Sequence, residues 1–307
     1  MLLALALAAI IIVAATAGAL LAFSHASSSS PTSYSTSYIS SVQTFTITKT
    51  ITTTAIIRST SYNSSRDSTT SMQSSSTSNI NKTGIIVPLY TPPSDPSWIN
   101  LINDKTSHPN IPIIAIINPS NGPGASKNGQ YSLGIAELRY NNIIVLGYVY
   151  TGYGSRSVFS VESDISNYKN WYNVSGIFFD EMAFTSGHES YYATLSSYAK
   201  SLGMNFTVGN PGIDLPLSYY GIFNIVNVYE SRGYPSSQQF STIWYSNLPS
   251  KGFSIIVTGV NSLNQSFVKS IAGRVGYVYI TNASDPNPFN ALSPFILEIS
   301  KILDNQG

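Results

Sequence analysis

From Gly84 to Ile280 the chain repeats one pattern eight times: an apolar run of about five residues, then a longer stretch that is polar or helical in spacing. The runs are Gly84–Tyr90, Ile113–Asn118, Ile143–Tyr148, Gly176–Asp180, Asn205–Gly209, Asn224–Val228, Ser254–Thr258 and Gly276–Ile280. They are continuous rather than alternating, which suits parallel strands covered on both faces. Helical stretches stand between them at Ser97–Asp104, Ser157–Trp171, Ser190–Leu202 and Gln265–Arg274. Eight strand-plus-helix units predict a compact α/β fold, a (β/α)8 barrel, over residues 84–307. An open doubly wound sheet would carry a glycine-rich phosphate turn after an early strand. The glycine-rich stretch here, Asn118 to Gly124, lacks the Lys-Ser/Thr of a phosphate loop and reads as a shaped loop on the upper rim. Pro88 cannot donate to a ladder and is expected to mark the end of the first strand.

The text before Gly84 has another character. Met1 to Phe23 holds no charged residue, and a span of roughly 20 apolar residues is enough to cross a bilayer. Its length favours a retained transmembrane anchor. Ser24-His25-Ala26 nevertheless offers small residues where a signal peptidase reads, so residues 1–26 are a signal anchor or a signal peptide. Ser and Thr then supply 32 of the 54 positions from 27 to 80. Such a tract buries too little apolar surface to offset chain entropy, so residues 27–83 are expected to form a disordered linker or stalk. Six Asn-x-Ser/Thr sequons, at Asn63, Asn81, Asn173, Asn205, Asn264 and Asn282, are compatible with an exported glycoprotein. The expectation is an extracellular barrel, secreted or membrane-anchored, whose catalytic domain is monomeric.

Composition removes several functions. Without cysteine there is neither a disulfide framework nor a thiolate metal site. His25, His108 and His188 have no ligand spacing, with His188 expected at a helix start, so no metal is expected and no cofactor is implied. A net charge of +1, with no Lys/Arg run, gives no field for nucleic acid. No Gly-x-Ser-x-Gly elbow is present, which argues against a serine hydrolase.

In barrels of this kind, catalytic groups come from the carboxyl ends of the strands. The polar residues there are Tyr90, Asn118, Tyr148 with Tyr150, Asp180 with Glu181, Asn210, Glu230 and Thr281. Carboxylates are scarce, yet Asp180 follows Ile177-Phe178-Phe179 and Glu230 follows a run ending in Val228-Tyr229. Glycosidic cleavage needs one carboxylic acid to protonate the leaving oxygen and a second carboxylate as nucleophile or base. Apolar walls raise one pKa so that acid and base coexist near neutrality. The ordinary alternative is that Asp180 or Glu181 caps the next helix or pairs with Arg156. Tyr90, Tyr148, Tyr150, Tyr153 and Tyr229 beside strand ends add flat faces on which sugar rings stack. A polysaccharide is therefore the expected partner.

Several stretches, in order, resemble the spherulin-4 family: Pro88-Leu89-Tyr90, Asn118-Pro119 through Gly122-Pro123-Gly124, Gly147 to Gly154, Gly176 to Glu181, Tyr277 to Thr281, and Asp285 to Asn290. That family is classed as glycoside hydrolase family 135. The resemblance implies a (β/α)8 barrel and endo-cleavage of α-1,4-linked N-acetylgalactosamine-containing polysaccharide. It also implies a site on Asp180, Glu181 and Glu230, with the match at Glu230 resting on less flanking text. A non-catalytic surface lectin or envelope component on the same barrel is the competing reading. What separates the two is whether both carboxylates lie within reach of one bond.

Overall fold

The computed structural model describes residues 82–236 and 248–306. The apolar N-terminal segment and the Ser/Thr tract, with their anchor and stalk expectations, lie outside the described residues. Among the described residues no helix is long and apolar enough to cross a membrane.

Eight parallel strands close in sequence order into one barrel: β1 (Gly84–Leu89), β2 (Ile113–Ile117), β3 (Ile144–Tyr150), β4 (Gly176–Asp180), β5 (Phe206–Gly209), β6 (Ile225–Arg232), β7 (Phe253–Thr258) and β8 (Tyr277–Ile280). The helices are α1 (Pro96–Ser107), α2 (Gly129–Tyr140), α3 (Val158–Asn167), α4 (Glu189–Ser201), α5 (Gln265–Ile271) and α6 (Ile296–Asp304). All five residues of β2 and all six of β1 and β7 are buried, as strands covered on both faces must be.

Three sequence expectations are corrected. Pro88 does not end β1; it pairs in register with Ile116, and Leu89 with Ile117. The β1–β8 ladder stops at Ile85, so Pro88 sits where the strand is in effect an edge and a missing N–H is tolerated. The helix expected over Ser157–Trp171 ends at Asn167 and widens into a π-turn, Tyr168–Tyr172. That turn lays the Tyr168 ring over Gly147 of β3, where a β-carbon would stand 2.5 Å from ring atoms, so only glycine fits. The apolar run Asn224–Val228 belongs to a strand that continues to Arg232.

The length of β6 has a cause. Its register with β7 runs Val226↔Phe253 and Asn227↔Ser254, then resumes at Tyr229↔Ile255, leaving Val228 as an unpaired bulge residue. Side chains alternate faces along a strand, so residues three apart normally point oppositely. The extra residue restores Asn227 and Glu230 to one face.

The start of the folded body is tied down on both sides. Thr83 Oγ donates to the Val275 carbonyl at 2.7 Å, and Lys82 Nζ pairs with Asp304 at 3.0 Å.

Candidate active site

The carboxyl ends of β3 to β6 hold a connected set of polar side chains. Asp180 is the last residue of β4, and Asn210 follows β5. The Asn210 side-chain nitrogen donates to Asp180 Oδ1 at 2.7 Å and to Glu230 Oε2 at 2.7 Å. One nitrogen therefore spans both carboxylates, and the two acceptor oxygens lie at most 5.4 Å apart, twice that bond length. Behind it, Asn227 Nδ2 donates to Asn210 Oδ1 at 2.7 Å, and Ser254 Oγ donates to Asn227 Oδ1 at 3.1 Å.

The two carboxyls differ in electrostatics. Burial pushes Glu230 up to about 7, and the Asp180 charge beside it adds to the rise. Asp180 is also raised by burial, against three opposing hydrogen bonds: the Glu181 backbone N–H, the Tyr148 hydroxyl and the Asn210 amide. The better-solvated anion is thus Asp180, and the better proton carrier is Glu230.

The loops holding this pair are fixed from outside. Thr151, just past β3, donates its N–H to the Asp180 carbonyl at 2.9 Å and its hydroxyl to the Glu181 carbonyl at 2.8 Å. Tyr153 N–H donates to the same Glu181 carbonyl at 2.6 Å. Glu181 sits in the left-handed region at φ 48°, a conformation that costs an ordinary residue about 1–2 kcal/mol. These three donors hold the strained peptide in place. The helix-capping and Arg156 alternatives are not met: the N-cap of α4 is His188, the helix start expected for that histidine, and Arg156 pairs with Asp164 at 2.8 Å.

Above the pair lies an open pocket of about 440 Å³ lined by Asp180, Glu181, Asn210, Glu230 and Tyr153. The sequence reading missed other lining residues: Gly212 after β5, Arg232 at the end of β6, and Asp285 and Pro288 after β8. It also missed Asn227 and Ser254, which lie inside strands where a lone polar residue gives no signal at the strand end.

The aromatic residues divide. Tyr148 is buried and bonds Asp180, while the Tyr90 ring stands edge-on between Tyr148 (5.5 Å) and Phe289 (5.6 Å). The Tyr90 hydroxyl is held neutral by burial, then by the nearby charges of Asp180 and Glu230. Tyr153 is exposed on the pocket wall. Tyr150 lies under the Arg156 guanidinium, 4.0 Å from its centroid. The Tyr229 hydroxyl bonds the Gly233 carbonyl at 2.9 Å. Asn118 accepts from Gly122 N–H at 2.9 Å and shapes its own loop, and Thr281 is buried and accepts from Ala283 N–H at 3.2 Å. Of the residues singled out in the sequence, Asp180, Glu181, Asn210, Glu230 and Tyr153 meet at one pocket, with Tyr148 and Tyr90 packed around the pair.

Comparisons with known proteins show the family and the fold. The family model described as spherulation-specific family 4 matches residues 84–302. Spherulin-4 of Physarum polycephalum is 28% identical over 227 residues, which is 69% of this chain and 67% of that protein. The crystal structure of Aspergillus clavatus Sph3 in complex with GalNAc superposes with a TM-score of 0.65 at 25% identity, covering 73% of this chain and 98% of that one.

Proposed function

The chain belongs to spherulation-specific family 4, and on that premise we propose that it is a retaining glycoside hydrolase acting inside an amino-sugar polysaccharide. Its barrel is of the carbohydrate-active, glycoside hydrolase-like kind, and Sph3 is a relative whose structure holds GalNAc. The observation that carries the reading is the single Asn210 nitrogen reaching both carboxylates. Retaining enzymes place their two carboxyl groups about 5–5.5 Å apart, and inverting ones about 6.5–9.5 Å, leaving room for water between. A ceiling of 5.4 Å between the bonded oxygens fits the former.

In the first step an Asp180 oxygen attacks the anomeric carbon as the bond to the leaving oxygen breaks, and the Glu230 carboxyl gives that oxygen its proton. The products are a glycosyl ester on Asp180 and a Glu230 carboxylate. Esterified Asp180 has lost its charge, so one cause of the raised Glu230 pKa disappears. Glu230 then takes a proton from water, whose oxygen attacks the same carbon and releases Asp180. Two inversions give net retention. Participation by the substrate's own acetamido group is disfavoured for an α-linked N-acetylgalactosamine, where it shares a ring face with the leaving group.

Glu181 and Tyr153 on the pocket wall would orient the sugar, with α-1,4-linked N-acetylgalactosamine as the leading substrate on family grounds. The apolar Met1–Phe23 run and the Ser/Thr tract support display of this barrel outside a membrane.

The test is incubation with a panel of amino-sugar polysaccharides, with product mass spectrometry and early-time proton NMR of the new reducing end. Endo-products with the anomeric configuration of the substrate are expected. Initial release of the opposite anomer would overturn the two-step scheme. Binding without cleavage would make the protein a surface lectin instead.

A further inference from the structure

Asn227 and Ser254 lie behind the pocket and line none of it. They are register partners on β6 and β7, and both are completely buried. Their bonds run one way: Ser254 O–H to Asn227, Asn227 N–H to Asn210 and, at 3.5 Å, to Glu230 Oε2, and Asn210 N–H to Asp180 and Glu230.

The direction matters because an asparagine amide has two nearly isosteric ends. Turned by half a rotation, Asn210 would present its carbonyl to two carboxylate oxygens, a repulsive contact for the anions that only protonated carboxyls could satisfy. The Asn227 amide occupies the Asn210 oxygen and removes that choice. Asn227 faces the same ambiguity, which Glu230 Oε2 removes by accepting from Asn227 Nδ2 at 3.5 Å. The Ser254 hydroxyl, able to donate or accept, satisfies the amide oxygen on the far side.

We infer that Ser254 and Asn227 are positioning residues that lock the Asn210 amide with its N–H group, never its carbonyl, toward Asp180 and Glu230. The inference rests on the glycosidase reading for its role in turnover, but the lock itself does not. Its effect is to keep Asp180 a carboxylate while Glu230 remains a proton carrier. The other ionisable groups around the pair are Tyr90 just past β1, Tyr148 of β3, Tyr153 after β3, Glu181 after β4, Arg232 ending β6 and Asp285 after β8. None of these bonds the relay among the described residues, so none can set its direction.

The test uses Ser254→Ala, Asn227→Leu and, as control, Ser196→Ala in the full chain. Ser196 is an equally buried hydroxyl on α4, bonded to the Ile222 carbonyl at 2.7 Å and outside the site. Two readouts are taken: the pH profile of kcat/KM, and carbon-13 NMR titration of the carboxyls, assigned with Asp180→Asn and Glu230→Gln. Both limbs of the profile, and both carboxyl titrations, are expected to move to higher pH by about one unit in the relay variants. Ser196→Ala should lower the melting temperature and leave both readouts in place. Because Asn227→Leu also removes the direct bond to Glu230, Ser254→Ala, which touches neither carboxyl, decides between the lock and that bond, and it decides alone if Asn227→Leu fails to fold. Titrations like those of the unaltered chain, or shifts no larger than the control's, would overturn the inference. Shifted titrations in a chain that cleaves no glycan would retain the lock and discard the glycosidase reading.

Discussion

The backbone N–H of Glu230 donates to the Gly212 carbonyl at 2.9 Å, and a β-carbon added to Gly212 would stand 3.2 Å from that of Glu230. Gly212 has φ +65°, where a side chain costs about 1–2 kcal/mol. Gly212→Ala is therefore expected to lower the melting temperature by roughly 2–8 °C and to push Glu230 off its line to the substrate. Small misplacements of a reacting group cost up to about a hundredfold in rate, so activity should fall at least tenfold. Gly221→Ala is the comparison, since Gly221 has φ +85° and nothing within 4 Å of its added carbon. It should lose stability alone. Equal activity in both variants would refute the Glu230 contact.

Stability should depend on pH through Glu230. Its folded pKa of about 7 lies above the ordinary 4.5, so the protonated form is the one the fold favours. The contribution is fully present below pH 4.5 and is lost as pH rises through 7. Over that window it amounts to about 3 kcal/mol. Glu230→Gln should thus gain stability relative to the unaltered chain above pH 7 and show little difference at pH 4. Chemical denaturation at both pH values checks this, and a pH-independent difference would count against a buried proton on Glu230.

The two carboxyl roles separate by chemical rescue. Glu230→Ala should lose about 10²–10⁴ in rate and recover with azide to give a glycosyl azide of retained configuration. Asp180→Ala rescued by azide should give the opposite configuration, because the small anion enters from the nucleophile's side and no second inversion follows. The anomeric coupling constant of the azide reads the outcome, and exchanged results would exchange the roles.

Removing residues 1–80 should leave a protein that melts cooperatively. Lys82 and Thr83 must stay, because their bonds to Asp304 and Val275 join the first strand to the end of the barrel. Starting the chain at Gly84 should cost about 1–3 kcal/mol more than starting at Asn81, chiefly from the stranded Thr83 partners. Indistinguishable melting curves would remove that role.

The barrel was legible because continuous apolar runs leave few alternatives to parallel strands. Asp180 was legible because it is a carboxylate ending such a run. The helix α2 leaves a weak trace in the sequence: its buried stripe is only Tyr131, Ile135 and Leu138, and exposed Leu133 and Tyr140 blur it. Asn118 and Thr281 resembled site residues by position, yet their side chains bond their own loops. Asn227 and Ser254 stayed hidden for the opposite reason. A polar side chain inside a buried run says that something must satisfy it, but only the closed barrel shows what.

Val228 gives β6 a further property. Whether Glu230 faces the pocket depends on the bulge at Val228 together with the number of residues after Asn227, and the identity of neither Asn227 nor Glu230 sets it. Losing a single codon at Val228 would remove the bulge and leave Asn227 and Glu230 two positions apart, still on one face. Straightening the bulge with Val228 retained would instead turn the acid outward while every catalytic letter remained in the sequence. Relatives that keep Asp180 and Glu230 but lack one residue in this stretch should pair β6 with β7 without a bulge and still hold the acid in the pocket, so spacing here sorts bulged strands from regular ones rather than active barrels from inert ones.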